Sequence, residues 1–183
     1  MFFHAFIIGV KEKFMPEYLD VRDYDGNKLG FTVERGNHSH DGWWYLCIHA
    51  YIMNDEGKFL IQQRSMTKKY FPGIWDITCG AALAGENSLD AAIRETKEEL
   101  GLDVSNFDRT FIGTSHCYDC VNHVYLFKGN FAFSDLTLKE DEVMAVKLVT
   151  GNELLELIKN SEFKDSDYYE MVSMFIKKYT VDT

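Results

Sequence analysis

Residues 80–102 read GAALAGENSLDAAIRETKEELGL and group four glutamates around one short helix. Glu95, Glu98 and Glu99 stand at i, i+3 and i+4, a spacing that puts three carboxylates on one helical face. Adjacent carboxylates repel one another, and a hard divalent cation that accepts several oxygen ligands, Mg2+ or Mn2+, is the natural counter-charge. A solvated acidic face is the ordinary meaning of such a run. Here Arg94 and the flanking glycines agree with the glutamate spacing and argue for a site.

The flanks predict how the helix starts and stops. Asn87 is placed to cap its N-terminus, with Asp90 three residues on as a capping-box partner, both suited to the positive helix end. Leu89, Ala92, Ile93, Thr96 and Leu100 form the expected buried stripe opposite the glutamates, and Gly101 suits the left-handed position that ends the helix. Gly80 and Gly85 lack a Cβ, so the loop expected before the helix can bring its backbone close to a metal or a phosphate.

The stretch resembles the Nudix box, Gx5Ex7REUxEExGU with U aliphatic, through Gly80, Glu86, Arg94, Glu95, Glu98, Glu99, Gly101 and Leu102. Thr96 departs from the motif at the first U; it is β-branched and nearly the shape of valine, so the departure bears on packing rather than chemistry. Ordinary residue frequencies give the matched polar and glycine positions by chance in about one chain in a million, which makes the resemblance specific.

Bulk properties are those of one globular domain: 183 residues, 46% hydrophobic and 26% charged. The net charge of -10 argues against nonspecific nucleic-acid binding, because no basic stripe is there to displace counterions. No run of 18 or more apolar residues exists to span a membrane. The N-terminal MFFHAFIIGV lacks a basic flank and a small-residue cleavage site, so a signal peptide is not expected. Residues 1–14 read as an N-terminal extension, with translation even able to begin at Met15, and residues 15–183 as the domain. Cys47, Cys79, Cys117 and Cys120 suggest reduced thiols and a cytoplasmic protein. Cys117 and Cys120 form a CxxC beside His116 and His123; without a second pair this reads as a strand turn before it reads as a zinc site. His38 and His40 read as a polar loop.

Alternating apolar patterns predict a hairpin around Asp25–Gly26, a second around Asn54–Gly57, and paired strands in FIGTSHCY and NHVYLFKGNF. EVMAVKLVT is a further strand, and helices follow at 152–158 and 165–179, the latter with Tyr168, Met171, Val172, Phe175 and Tyr179 on one face. The Nudix resemblance implies that these elements form an α/β/α sandwich with a mixed sheet between helices.

A closer resemblance, covering residues 17–150, is to the branch that holds isopentenyl-diphosphate isomerase and related hydrolases, carried by QQRSMTKKYFPGIWDITCGAALAGE. Cys79 occupies the isomerase cysteine position. Ala81 and Tyr45 stand where the isomerase has metal-binding histidines, and Val121 to His123 replace expected carboxylates, whereas Arg94, Glu95 and Glu98 complete the hydrolase motif. The resemblance therefore implies a Mg2+-dependent hydrolase cleaving the diphosphate linkage of a nucleoside diphosphate derivative. The alternatives are an isopentenyl-diphosphate isomerase and a Nudix module that binds nucleotides without turnover.

In that reading Glu95, Glu98 and Glu99 are metal ligands, with the backbone carbonyl of Cys79 or Gly80 as a further oxygen. Arg94 pairs with a glutamate of the box, most simply Glu86, and both support the site. The proton acceptor is one of the box glutamates or a later carboxylate, Glu140, Asp141 or Glu142. Arg64 and Lys68 are at positions similar to diphosphate-contacting ones; a solvated turn is their other reading. Trp43, Trp44, Tyr118 and Tyr125 are either stacking surfaces for a base or core aromatics. Homodimerisation is common in the superfamily.

Overall fold

The computed structural model describes residues 16–37, 40–161 and 167–180. The expected extension at residues 1–14, and His38, lie outside the described residues. The element that organises the rest is β3 (Tyr45–Met53), whose side chains alternate between two buried faces. Leu46, Ile48, Ala50 and Ile52 enter one core with Leu60 and Phe127; Tyr51 and Met53 enter the other with Phe59, Val124 and Leu126. A strand buried on both faces needs a helix on each side, and the chain supplies them.

Helix α1 (Ser88–Leu100) lies over the first face through Ala91, Ala92 and Leu100. Helices α2 (Gly151–Lys159) and α3 (Asp167–Thr180) lie over the second, where Leu154, Leu155, Tyr168, Val172, Phe175 and Ile176 are buried. Val172 and Ile176 have no exposed surface, and burial of that kind contributes about 1.5–3 kcal/mol per side chain. The α/β/α sandwich is therefore realised. No helix among the described residues is long and apolar enough to cross a membrane.

Along one edge β3 runs parallel to β8 (Cys120–Lys128), from Tyr45↔Cys120 to Met53↔Lys128, and β8 continues antiparallel into β7 (Asp108–Cys117). The other edge of β3 is divided. Ile52 and Met53 pair with β4 (Phe59–Arg64), whereas Cys47 to Ala50 pair with β6 (Thr78–Ala81). Beyond the fork β4 pairs instead with β5 (Trp75–Asp76), while β9 (Val143–Val149) pairs with it along its whole length. The site sits over this fork. An N-terminal hairpin, β1 (Tyr18–Arg22) with β2 (Lys28–Glu34), joins β3 through an Arg22–Trp44 bridge.

Two local expectations are corrected. Gly80 is not in a loop: it lies on β6, paired with Ile48, because residues 75–81 pass from β4 to β3 as two short strands. The buried side of α1 is not simply opposite the glutamates, since Glu95 and Glu99 are buried alongside Ala92, Thr96 and Leu100. Leu89 and Ile93 are only partly buried. Helix α1 is pressed so closely onto β3 and β6 that its acidic stripe forms the border of its packed face.

Candidate active site

The local chemistry that frames α1 matches the sequence with one refinement. Asn87 caps the helix, its Oδ1 accepting from the Asp90 backbone N–H at 3.0 Å. Asp90 does not close a capping box; it accepts from the Asn87 side chain at 2.7 Å. Gly101 ends the helix at φ +70° with its N–H on the Lys97 carbonyl. Thr96, with no exposed surface, donates its hydroxyl to the Ala92 carbonyl at 2.7 Å, so its polar atom is satisfied inside the helix.

Arg94 is the hub. Its Nε and Nη2 hold both oxygens of Glu86 at 2.9 Å, the bidentate pair expected from the sequence. Nη2 also donates to the Ala81 carbonyl at 3.0 Å, tying helix to strand β6. Nη1 bridges Glu95 at 2.9 Å and Glu98 at 3.0 Å. Glu86 in turn accepts from the Leu83 backbone N–H at 2.9 Å, which fixes the loop between β6 and the helix. Burial acts to lower the Arg94 pKa, but Glu86 and Glu95 outweigh it and hold the guanidinium charged.

Glu95, Glu98 and Glu99 line one cleft of about 170 Å3. Glu98 is half-exposed, at 50% of its side chain. Glu95 and Glu99 are buried, and desolvation raises both pKa values, that of Glu99 to about 8; Arg94 opposes the rise at Glu95, and a hydrogen bond from Gln62 opposes it at Glu99. Arg64, Lys68, Lys139 and Glu142 line the same cleft. Lys68 forms an ion pair with Glu142, and Lys139 lies 3.7 Å from the same carboxylate. Arg64 donates to the Tyr70 carbonyl at 3.3 and 3.2 Å, so its loop folds back over the guanidinium.

A hard cation fits this donor set. A Cβ on Gly80 would collide with the Glu95 carboxyl group, so the absence of a side chain there is what lets the carboxylate lie against β6. Among the described residues no three acidic, histidine or cysteine side chains are already drawn into metal-ligating geometry. Arg94 bridges Glu95 and Glu98 instead, supplying in the fold the positive charge that the carboxylates require.

Thus the structure gathers Glu95, Glu98, Glu99, Arg94, Arg64 and Lys68 at one cleft, with Glu86 and Gly80 directly behind it. Of the later carboxylates, Glu142 lines the cleft. Cys79 lines it as well, with Sγ 4.0 Å from Asp76 Oδ2 and a thiol pKa pushed well up by burial.

The aromatic candidates lie elsewhere. Trp43 packs on Leu19, Val21 and Tyr45, and Trp44 stacks edge-on against Tyr24. Tyr118 is at the exposed β7–β8 turn, and the Tyr125 hydroxyl meets Ser88 at 2.8 Å. Cys117 and Cys120 flank that same turn as hairpin partners. His116 and His123 engage the Tyr24 carbonyl and the Ser88 hydroxyl, both at 2.8 Å, and His40 packs against Trp43.

Three cleft residues escaped the sequence. Glu17 and Arg35, paired at 2.6 Å, enter it from the ends of the N-terminal hairpin, and Arg35 bears electrostatically on Glu95. Lys139 enters from the segment before β9. The charge of the pair was visible in the sequence, but nothing in the spacing placed it beside a helix so far along the chain.

Residues 43–172 match the NUDIX domain family. An uncharacterised Nudix hydrolase of Listeria monocytogenes is 35% identical over 150 residues, covering 80% of this chain and 88% of its own. An isopentenyl-diphosphate Delta-isomerase of Cutibacterium acnes is 35% identical over 89 residues, covering 48% of this chain and 45% of its own. In fold, a crystal structure of a Deinococcus radiodurans protein is similar with a TM-score of 0.70 at 22% identity, covering 86% of this chain and 98% of that one.

Proposed function

The chain belongs to the Nudix family and is a Nudix hydrolase, and from that premise we propose that it cleaves the diphosphate linkage of a nucleoside diphosphate derivative with Mg2+ or Mn2+ as cofactor. The observation that carries the reading is that Glu95, Glu98 and Glu99 line the same cleft as Arg64 and Lys68. A diphosphate and its metal need both kinds of group at one site, acidic for the cation and basic for the anion.

Glu95, Glu98, Glu99 and the Gly80 carbonyl would hold the metal, which when bound shields the diphosphate and acidifies water. Arg94 and Glu86 keep the helix and the preceding loop in place, and Arg64 and Lys68 neutralise the phosphate oxygens left over. Glu142 is the proton acceptor we favour over Glu140 and Asp141, because it lines the cleft. In the resting fold it is paired with Lys68. A phosphate that draws Lys68 away leaves Glu142 free to accept the proton of water.

A second reading, the isomerase, rests on Cys79, whose half-buried and protonated thiol lines the same cleft. Placement in the cytoplasm belongs to the same proposal and is supported by four free cysteines.

The deciding experiment is phosphorus NMR of the wild type and Glu98→Gln with Mg2+ against nucleotide sugars, nucleoside di- and triphosphates, dinucleoside polyphosphates and isopentenyl diphosphate. Hydrolysis should give monophosphate products that vanish with chelator and fall by roughly 10²-fold or more in the variant. Unchanged turnover by Glu98→Gln refutes its role as a ligand. Double-bond migration with the diphosphate intact establishes the isomerase, and binding without product establishes a non-catalytic module.

A further inference from the structure

Two of the three helix glutamates in the cleft share Arg94; the third is held differently. Glu99 Oε2 accepts from Gln62 Nε2 at 2.7 Å, and Gln62 is 1% exposed. The same nitrogen lies 3.5 Å from the Ile77 carbonyl, and Gln62 Oε1 is buried without a hydrogen-bond partner. Gln62 follows Leu60 on the face of β4 that packs toward α1, where burial alone would favour an aliphatic side chain. A buried amide with an unmet acceptor is a cost to the fold. Its return is the bond to Glu99.

We propose that Gln62 is a positioning residue, whose amide N–H fixes the Glu99 carboxylate in the cleft so that Glu99 serves as a metal ligand. The proposal rests on the reading of the cleft as a divalent-cation site. A neutral donor suits the task better than a second arginine: it ties down one oxygen without adding a positive charge that would compete with a cation. Arg94, by contrast, meets Glu95 and Glu98 with charge. Ligand orientation by an outer hydrogen bond of this kind is general in metal sites, and its loss costs typically 10–100-fold in affinity.

Gln62→Met tests it, since methionine keeps the length of the side chain and removes both the donor and the unmet acceptor. Binding of Mn2+ is read directly from the electron paramagnetic resonance of the free ion, alongside the melting temperature in chelator. We expect Mn2+ affinity to fall roughly tenfold or more, and Gln62→Met to add little in a Glu99→Gln background, because the two residues act as one unit. Equal Mn2+ affinity in wild type and a folded Gln62→Met overturns the proposal. A wild type that binds no Mn2+ overturns the cleft reading itself and the proposal with it. A measurement on the wild type stands independent of the variant's folding: the Gln62 side-chain amide resonance should move on Mg2+ addition, and a resonance that stays still while backbone signals of α1 move also overturns it.

Discussion

On the α3 side of the sheet the Tyr168 hydroxyl meets the Tyr51 hydroxyl at 2.6 Å and His49 Nδ1 at 2.9 Å, three groups that desolvation holds neutral. On the α1 side Glu95 and Glu99 are buried as carboxyl groups whose pKa values desolvation raises. The same sheet thus buries polar atoms in two ways. The first satisfies them and locks α3 in place. The second leaves an electrostatic demand that the fold meets only in part, through Arg94 and Gln62, and which a cation would complete. Stability and activity therefore have different addresses in this molecule, separated by the thickness of one sheet.

The contrast breaks most forcefully at Gly80. Gly80→Ala puts a methyl group into the Glu95 carboxyl and must push that side chain off β6. Turnover should fall by roughly 10²-fold or more, measured as kcat/KM at saturating Mg2+, with the melting temperature in chelator shifted only modestly. An active Gly80→Ala enzyme would show that Glu95 works from another position.

Tyr168→Phe is the counterpart on the other face. Removing one hydroxyl from the Tyr51–Tyr168–His49 set should cost about 1–3 kcal/mol in denaturant unfolding and leave kcat unchanged. A loss of kcat without a loss of stability would instead connect the two faces.

A third effect is the one in pH, and there the faces should pull in opposite directions. His49 is held neutral, its pKa lowered to about 4 from 6.5, so the unfolded chain takes up its proton first and stability falls as pH drops through that window. Glu99 is pushed up to about 8 from 4.5, so the unfolded chain releases its proton first and stability falls as pH rises through that window. Each arm approaches about 1.4 kcal/mol per pH unit at most. Unfolding measured in chelator should show both arms, and Mg2+ should flatten the upper one alone. A flat profile above pH 6 in chelator would contradict the burial of Glu99.

What could be read from the sequence was whatever short spacing fixes. The cap at Asn87, the stop at Gly101 and the shared face of Glu95, Glu98 and Glu99 follow from helical geometry within some twenty residues, and the Arg94–Glu86 pair from the resemblance to the Nudix box. Helix α3 was equally legible, because Tyr168, Val172 and Phe175 repeat at helical period. Gln62, Glu17 and Arg35 were not: each lies on or beside a strand, and only the tertiary fold brings it to α1. The strands at 75–81 escaped for a different reason. Two and four residues long, they carry no period of their own and exist because β4 and β3 each leave part of an edge unpaired for them. The aromatic candidates failed because a large ring beside a strand gives the same signal whether it packs under a hairpin, as Trp43 does, or faces a ligand.

The parallel pairing of β3 with β8 also governs the order in which the molecule is able to assemble. Tyr45 meets Cys120, and everything that builds the cleft from β4 through α1 lies inside the loop which that contact closes. Local helix formation is fast, but non-local parallel pairing bears its closure entropy before the burial that rewards it. A nascent chain that has not yet reached β8 therefore carries the acidic helix without the completed sheet beneath it. Mutations that weaken the β3–β8 seam should slow refolding even where they touch none of the charged groups, because activity waits on the closing of that loop.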